Sequence, residues 1–162
     1  EHVANETRKA LQAEGKDLQR SGADDVIETM IHQFQRKGKA AGAGFYDYPE
    51  NGKKHLWEGL SHWKKDTEMS EQEMIDRFLF VQSLDTLRCL EEGVLESVVD
   101  ANVGSIFGIG FAPWTGGALQ FLNQYGLEKA LIRANTLEVK YGARFKAPQL
   151  LIDKAHAGEK IA

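Results

Sequence analysis

Apolar residues recur at intervals of three and four along most of this chain, and no stretch alternates apolar and polar positions as a half-buried strand would. The pattern predicts an all-α fold, a helical bundle punctuated by glycine. A first helix should run from Glu1 to about Gln12 and stop at Gly15. A second is expected from about Ala23 to Arg36, with Ile27, Met30, Ile31 and Phe34 on one face, Ser21 or Asp24 as its cap and Gly38 as its end. Residues 38–55 carry Gly38, Gly42, Gly44, Pro49 and Asn51-Gly52, a composition of loop and turn. Trp57, Leu60 and Trp63 then resume helical spacing.

The longest helix is expected from Ser70, where Ser70-Glu-Gln-Glu73 forms a capping box, to Gly93. Met74, Phe78, Val81, Leu84, Leu87 and Leu90 mark its apolar stripe, and Ile75, Leu79 and Phe80 widen it, so the helix should pack on more than one side. Ser97 or Asp100 opens a short helix ending at Gly108. Pro113 and Thr115-Gly116-Gly117 lead into a helix over Ala118 to Tyr125, stopped by Gly126, and another runs from Leu127 to Tyr141, stopped by Gly142. Pro148 begins the last, with Leu150, Leu151 and Ala155 inward, and the tail after Gly158 is expected to fray.

Composition narrows the function classes. The 162 residues are 42% hydrophobic and 27% charged, which is ordinary globular material. A net charge of −4, with Arg36, Lys37 and Lys39 as the nearest thing to a basic cluster, argues against nucleic acid. No apolar run reaches membrane-spanning length, and neither a membrane span nor a signal peptide is expected. The lone Cys89 cannot form an internal disulfide and reads as a small buried hydrophobe, so a reducing, cytoplasmic setting is expected. Since an amphipathic stretch begins at Glu1 with no cap before it, the chain is expected to be a piece of a longer protein.

Candidate chemistry is sparse. From Asp66 to Asp100 there are ten acidic residues against Arg77 and Arg88, with no histidine among them, which reads as a solvated acidic face and not a metal site. The five histidines, His2, His32, His55, His62 and His156, are scattered over expected surface positions without metal-pair spacing or a neighbouring nucleophile. Three glycine-rich stretches could cradle a phosphate. Gly38 to Gly44 lacks the P-loop ending, Gly104 to Gly110 lacks the strand that a dinucleotide fingerprint needs, and Gly116-Gly117 opens a helix but reads better as a tight packing turn. Phe45, Tyr46 and Tyr48 read as packing groups, and Phe111 and Trp114, flanking Pro113, are expected to fill the gap between helices.

Two motifs carry a resemblance. Gly38-Lys-Ala-Ala-Gly-Ala-Gly-Phe-Tyr-Asp-Tyr48 is similar to the Gly-Arg-Lys-Thr-Gly-Lys-Gly-Phe-Tyr-x-Tyr segment that closes the first helical domain of 3-hydroxyacyl-CoA dehydrogenases, although Lys39, Ala40 and Ala43 replace its arginine and lysines. Phe107-Gly-Ile-Gly-Phe-Ala-Pro-Trp-Thr-Gly-Gly-Ala118 resembles the Tyr-Gly-x-Gly-Phe-Pro-Pro-Phe-x-Gly-Gly signature of the second helical domain, and Arg77 to Gly93 resembles that domain's start. Having both in order resembles the multifunctional fatty-acid β-oxidation type.

The resemblance implies the carboxy-terminal helical region of such an enzyme. Residues 1–48 would be the tail of a first helical repeat, 49–69 a connecting segment and 70–162 a second repeat, matching a weak echo between residues 4–39 and 134–160. It assigns packing roles to Gly42, Gly44, Phe45, Tyr46, Gly108, Gly110, Phe111, Pro113, Gly116 and Gly117. It transfers no catalytic, metal-binding or cofactor-binding residue, because NAD and the catalytic His and Glu of the family belong to a preceding Rossmann domain. That domain and the acyl-CoA substrate are the partners it implies, and the chain alone should bind no NAD and show no turnover. The alternative is a stand-alone helical module that dimerises through the apolar face of the Ser70 to Gly93 helix.

Overall fold

The structure is a computed structural model that describes residues 2–15, 22–66 and 68–162. It is all-α but for one pair of two-residue strands, in the order α1 (His2–Ala13), α2 (Gly22–His32), β1 (Tyr46–Asp47), β2 (His55–Leu56), α3 (Glu71–Glu91), α4 (Val98–Ile109), α5 (Ala118–Tyr125), α6 (Leu127–Tyr141) and α7 (Gln149–Ala157). The chain divides into two compact units, Glu1–Asp66 and Thr67–Ala162. The expected helix start at Glu1 and the cap at Ser21 lie outside the described residues.

In the first unit α2 stops at His32, short of the Arg36 and Gly38 expected from periodicity. Gln35 takes a left-handed conformation (φ 56°), which breaks the helix ahead of the glycine. The competing pull is Arg36: its Nε donates to Gly44 O at 2.7 Å and its Nη2 to Tyr46 O at 3.1 Å and to Asp47, while the guanidinium lies 4.4 Å from the Trp57 ring. The glycine loop and the antiparallel β1–β2 pair, with Tyr46 opposite Leu56, therefore fold around one side chain. Phe34 meets Trp57 edge-on at 4.9 Å and Trp63 at 5.8 Å, which anchors the 3-10 turn Glu58–Trp63.

In the second unit Ser70 caps α3, its Oγ accepting from Glu73 N at 3.1 Å. Phe80, Leu84 and Leu87 of α3 are fully buried with Leu119 and Leu122 of α5, Ala130, Ala134 and Leu137 of α6, and Leu151 and Ala155 of α7. Small residues on α6 let that helix approach, and Phe80 fills the space beyond, edge-on to Phe121 (5.5 Å) and Tyr125 (5.0 Å). Burying each such large side chain contributes about 1.5–3 kcal/mol. Gly126 (φ 88°, ψ 120°) is at once the last cap of α5 and the first of α6, and Gly142 (φ 93°) ends α6.

Several expectations are corrected. The acidic stretch is not uniformly solvated: Asp76 is 3% exposed and accepts from Arg133 Nε at 2.7 Å and Gln72 Nε2 at 2.8 Å. Glu73 accepts from Lys140 Nζ at 2.6 Å and from the Tyr141 hydroxyl, and Glu91 accepts the backbone amide of Leu150. These carboxylates tie α3 to α6 and to the start of α7. Helix α4 runs through Gly108 to Ile109 and ends at Gly110 (φ 71°), because a glycine whose φ stays helical does not stop a helix. Gly158 does end α7, but the tail beyond it does not fray: Asn123 Nδ2 donates to Ile161 O at 2.8 Å, Ile161 N donates to Asn123 Oδ1 at 2.9 Å, and Ile161 is buried.

Candidate functional site

The residues singled out by motif fall in both units. In the first, Gly42 (φ 76°) closes a short 3-10 turn over Lys39–Ala41, and Gly44 is buried so closely that a Cβ there would meet Gly38 Cα at 2.9 Å. Phe45 and Tyr46 line a cavity of about 240 Å³ with Met30, Arg36 and Tyr48, and both rings remain substantially exposed.

In the second unit the motif builds the start of α5. Phe111 is buried edge-on to Phe121, Pro113 begins a 3-10 turn, and Gly116 (φ 79°) and Gly117 (φ 114°) turn the chain into the helix. Trp114 is 84% exposed and fills no gap between helices, because the 3-10 turn over Pro113–Thr115 directs Thr115 inward instead. Gly117 passes beside α4, and a Cβ on it would lie 2.6 Å from Asn102 Cα.

The donors at the start of α5 are all committed. Thr115 Oγ1 accepts from Gly117 N at 3.2 Å, Ser105 Oγ from Ala118 N at 3.0 Å, and Asn102 Oδ1 from both Leu119 N and Gln120 N at 3.0 Å. Phe121 N makes the first intrahelical bond, to Gly117 O at 2.8 Å. An anion drawn to a helix N-terminus needs those amides free. Asn102 and Ser105 are the residues that sequence reasoning missed, since a cap supplied from another helix leaves no trace at the Ser/Thr-x-x-Glu spacing by which local caps are read.

The same arrangement turns two polar side chains of α4 inward, beside Val98 and the buried Ala101. Asn102 and Ser105 of that helix face the protein, whereas Val99, Val103 and Phe107 are 70%, 51% and 86% exposed. Between α3 and α4 lies an open cleft of about 570 Å³, lined by Val81, Gln82, Cys89, Leu95, Gly104 and Ile109 together with Asp85, Asp100 and two arginines. Cys89 is half-buried in its wall and not enclosed as a core residue. A second pocket of about 350 Å³, formed by Met69, Met74, Arg77, Phe78 and Phe145, adjoins it through Val81 and Arg144.

The charges around these cavities are mostly engaged in structure. Arg88 reaches Lys146 O at 2.6 Å and Asp85 at 3.4 Å, and the Arg77 guanidinium lies 4.0 Å from the Tyr141 ring. The Lys140 ammonium, then the Tyr141 hydroxyl, hold the Glu73 carboxyl below its usual range. Burial raises the Tyr125 phenol. Neither cavity is lined by a histidine that could serve as a base to Cys89 or to a serine. His32, His55, His62 and His156 are exposed. Among the described residues no three His, Cys, Asp or Glu side chains gather as metal ligands, and no helix is long and apolar enough to cross a membrane.

No protein-family model matches the chain. It is similar to fatty acid oxidation complex subunit alpha of Vibrio cholerae serotype O1, with 34% identity over 140 residues, covering 85% of this chain and 20% of that relative. The proteins of the same name from Vibrio vulnificus (31% over 140 residues) and Vibrio parahaemolyticus (31% over 137 residues) match at 20% and 19% of their lengths. Over 85% of its length, then, this all-α chain matches a portion, about one-fifth, of the fatty acid oxidation complex alpha subunit.

Proposed function

We propose that this chain is the substrate-closing and assembly portion of an NAD-dependent 3-hydroxyacyl-CoA dehydrogenase of fatty-acid β-oxidation, whose parent protein oxidises a 3-hydroxyacyl thioester to the 3-ketoacyl form. The observation that carries the reading is the ordered pair of motifs, Gly38 to Tyr48 and Phe107 to Ala118, within a chain that matches fatty acid oxidation complex alpha subunits. In this reading residues 1–48 close a first helical repeat, 49–69 connect, and 70–162 form a second repeat. The parent is cytoplasmic.

In this proposal the chain holds no nicotinamide cofactor. The glycine turn best placed to meet a pyrophosphate has its amides bonded to Thr115, Ser105 and Asn102. NAD and the catalytic base belong in this proposal to a separate Rossmann domain, the chain's principal partner. What this chain contributes is a wall that packs on that domain and closes over the acyl-CoA.

The test mixes the purified chain with the portion of the Vibrio cholerae relative that is left when the matched fifth of its length is removed. The expected outcome is a stable complex that oxidises NADH in the presence of acetoacetyl-CoA faster than that portion alone, with this chain by itself at buffer rate. Turnover by the chain alone, or no complex and no change in rate, overturns the reading. The exposed Phe78 and Phe107 favour a second reading, a helical association module without catalysis, which predicts no effect of the chain on dehydrogenase rate.

A further inference from the structure

The chain that follows α7 returns to α5 and is gripped there as a bound peptide would be. Gly158 (φ 66°) turns it out of the helix, and Glu159 then pairs with Lys154 at 2.6 Å. Two residues on, Ile161 is 4% exposed within the core cluster, while Glu159, Lys160 and Ala162 around it are exposed. Asn123 of α5 meets the backbone of Ile161 twice: its Oδ1 accepts from Ile161 N at 2.9 Å, and its Nδ2 donates to Ile161 O at 2.8 Å.

One side-chain amide thus supplies the acceptor and the donor that a neighbouring strand supplies in an antiparallel pair. Bonds of that kind hold any extended backbone, and the pocket that takes the buried side chain sets which residue fits. Here that residue is a branched aliphatic, and the cluster it enters holds Leu122 of α5 with Leu151 and Ala155 of α7. Lys154 fixes a carboxylate two positions before it, and the hydrogen bond from that ammonium draws the Glu159 carboxyl below its ordinary range.

None of these contacts needs the segment to be covalently attached. The link through residues 158–160 only keeps it near, at an effective concentration on the order of millimolar. The segment is also a join between elements, since α7 packs on α6 and α3 while Asn123 ties the residues after it to α5. We propose that Asn123, Lys154 and the pocket of Ile161 form a recognition site for an extended peptide of the pattern Glu-x-Ile, which residues 159–162 occupy as a detachable strap. The occupant seen in place defines the chemistry of the ligand: an acidic residue, any residue, then a branched aliphatic residue. The site belongs to the second unit alone, so its failure would leave the dehydrogenase reading untouched.

The test empties the site in the full 162-residue chain with Ile161→Asp, because a carboxylate without a partner is expelled from an apolar pocket to water. An acetylated peptide of residues 158–162 is then titrated in and followed by NMR. It should bind with a dissociation constant of about 1 mM or tighter and shift the Asn123 side-chain amide. The same peptide with aspartate in place of isoleucine should bind at least tenfold more weakly, and so should the original peptide when Asn123→Ala is added to the chain. In the wild type, the Ile161 amide should exchange at least tenfold faster than the Leu122 amide of α5 and keep its rate in low urea, since the strap opens while the helices stay folded. Three results would each overturn the inference: equal exchange of the two amides, no peptide binding at about 5 mM, or loss of the helical circular-dichroism spectrum in Ile161→Asp.

Discussion

Gly117 and Asn102 are locked together: the glycine backbone passes so near α4 that a Cβ would stand 2.6 Å from Asn102 Cα, while Asn102 Oδ1 caps the helix that Gly117 begins. Position 117 also holds φ at 114°, outside the range of L side chains. Gly117→Ala should therefore cost about 3 kcal/mol or more by thermal or urea unfolding. Gly108→Ala, in α4 with open space around it, should stabilise by about 0.5–1 kcal/mol. Equal effects at the two glycines would refute the packing account of the motif.

The Asp76–Arg133 pair joins α3 to α6, with the carboxylate side chain 5% and the guanidinium side chain 23% exposed. Asp76→Ala should cost about 2 kcal/mol or more, since it leaves a half-buried cation. Removing Arg133 as well in an Asp76→Ala/Arg133→Met double variant should recover part of that loss. A double-mutant cycle with no coupling energy would remove the pair from the account of how α6 is held.

Glu73 makes a prediction about pH. Lys140, then Tyr141, lower its folded pKa, so its stabilising contribution is complete above the ordinary glutamate range and disappears as pH falls through the depressed value. The stability difference between wild type and Glu73→Gln should be constant near neutral pH and shrink on acidification below that range. A difference that grows towards acid pH would reverse the assignment.

The carboxy-terminal tail is held by Asn123 and by the burial of Ile161. Ile161→Ala should cost about 2–4 kcal/mol, and Asn123→Ala about 1–2 kcal/mol because it frees two backbone groups of the tail. Hydrogen exchange at the Ile161 amide should be protected in the wild type and accelerate in Asn123→Ala. A tail that exchanges at the solvent rate in both would return it to the frayed state expected from sequence.

Local signals in the sequence located most of the second unit. Ser70 with Glu73 marks the start of α3, and Gly126 and Gly142 bound α5 and α6 at the residues where the structure has them, because caps and left-handed glycines act on their immediate neighbours. What stayed hidden was every feature made by residues distant in the chain. Arg36 ends α2 early by binding carbonyls eight and ten residues onward. Asn123 holds a tail 38 residues away. Asp76 and Glu73 looked like surface acids until α6 brought Arg133 and Lys140 to them. The inward turn of Asn102 and Ser105 was equally invisible, since the amides they cap lie 17 and 13 residues onward.

Gly126 turns two helices through one residue, with no linker to absorb a change in length. A single inserted residue there would rotate α6 by about 100° about its own axis. Ala130, Ala134 and Leu137 would leave the core together, and Arg133 would swing away from Asp76. The corner between α5 and α6 is thus a counting device: substitutions elsewhere change how firmly the unit is held, but an insertion or deletion at this point changes which face of α6 the core receives.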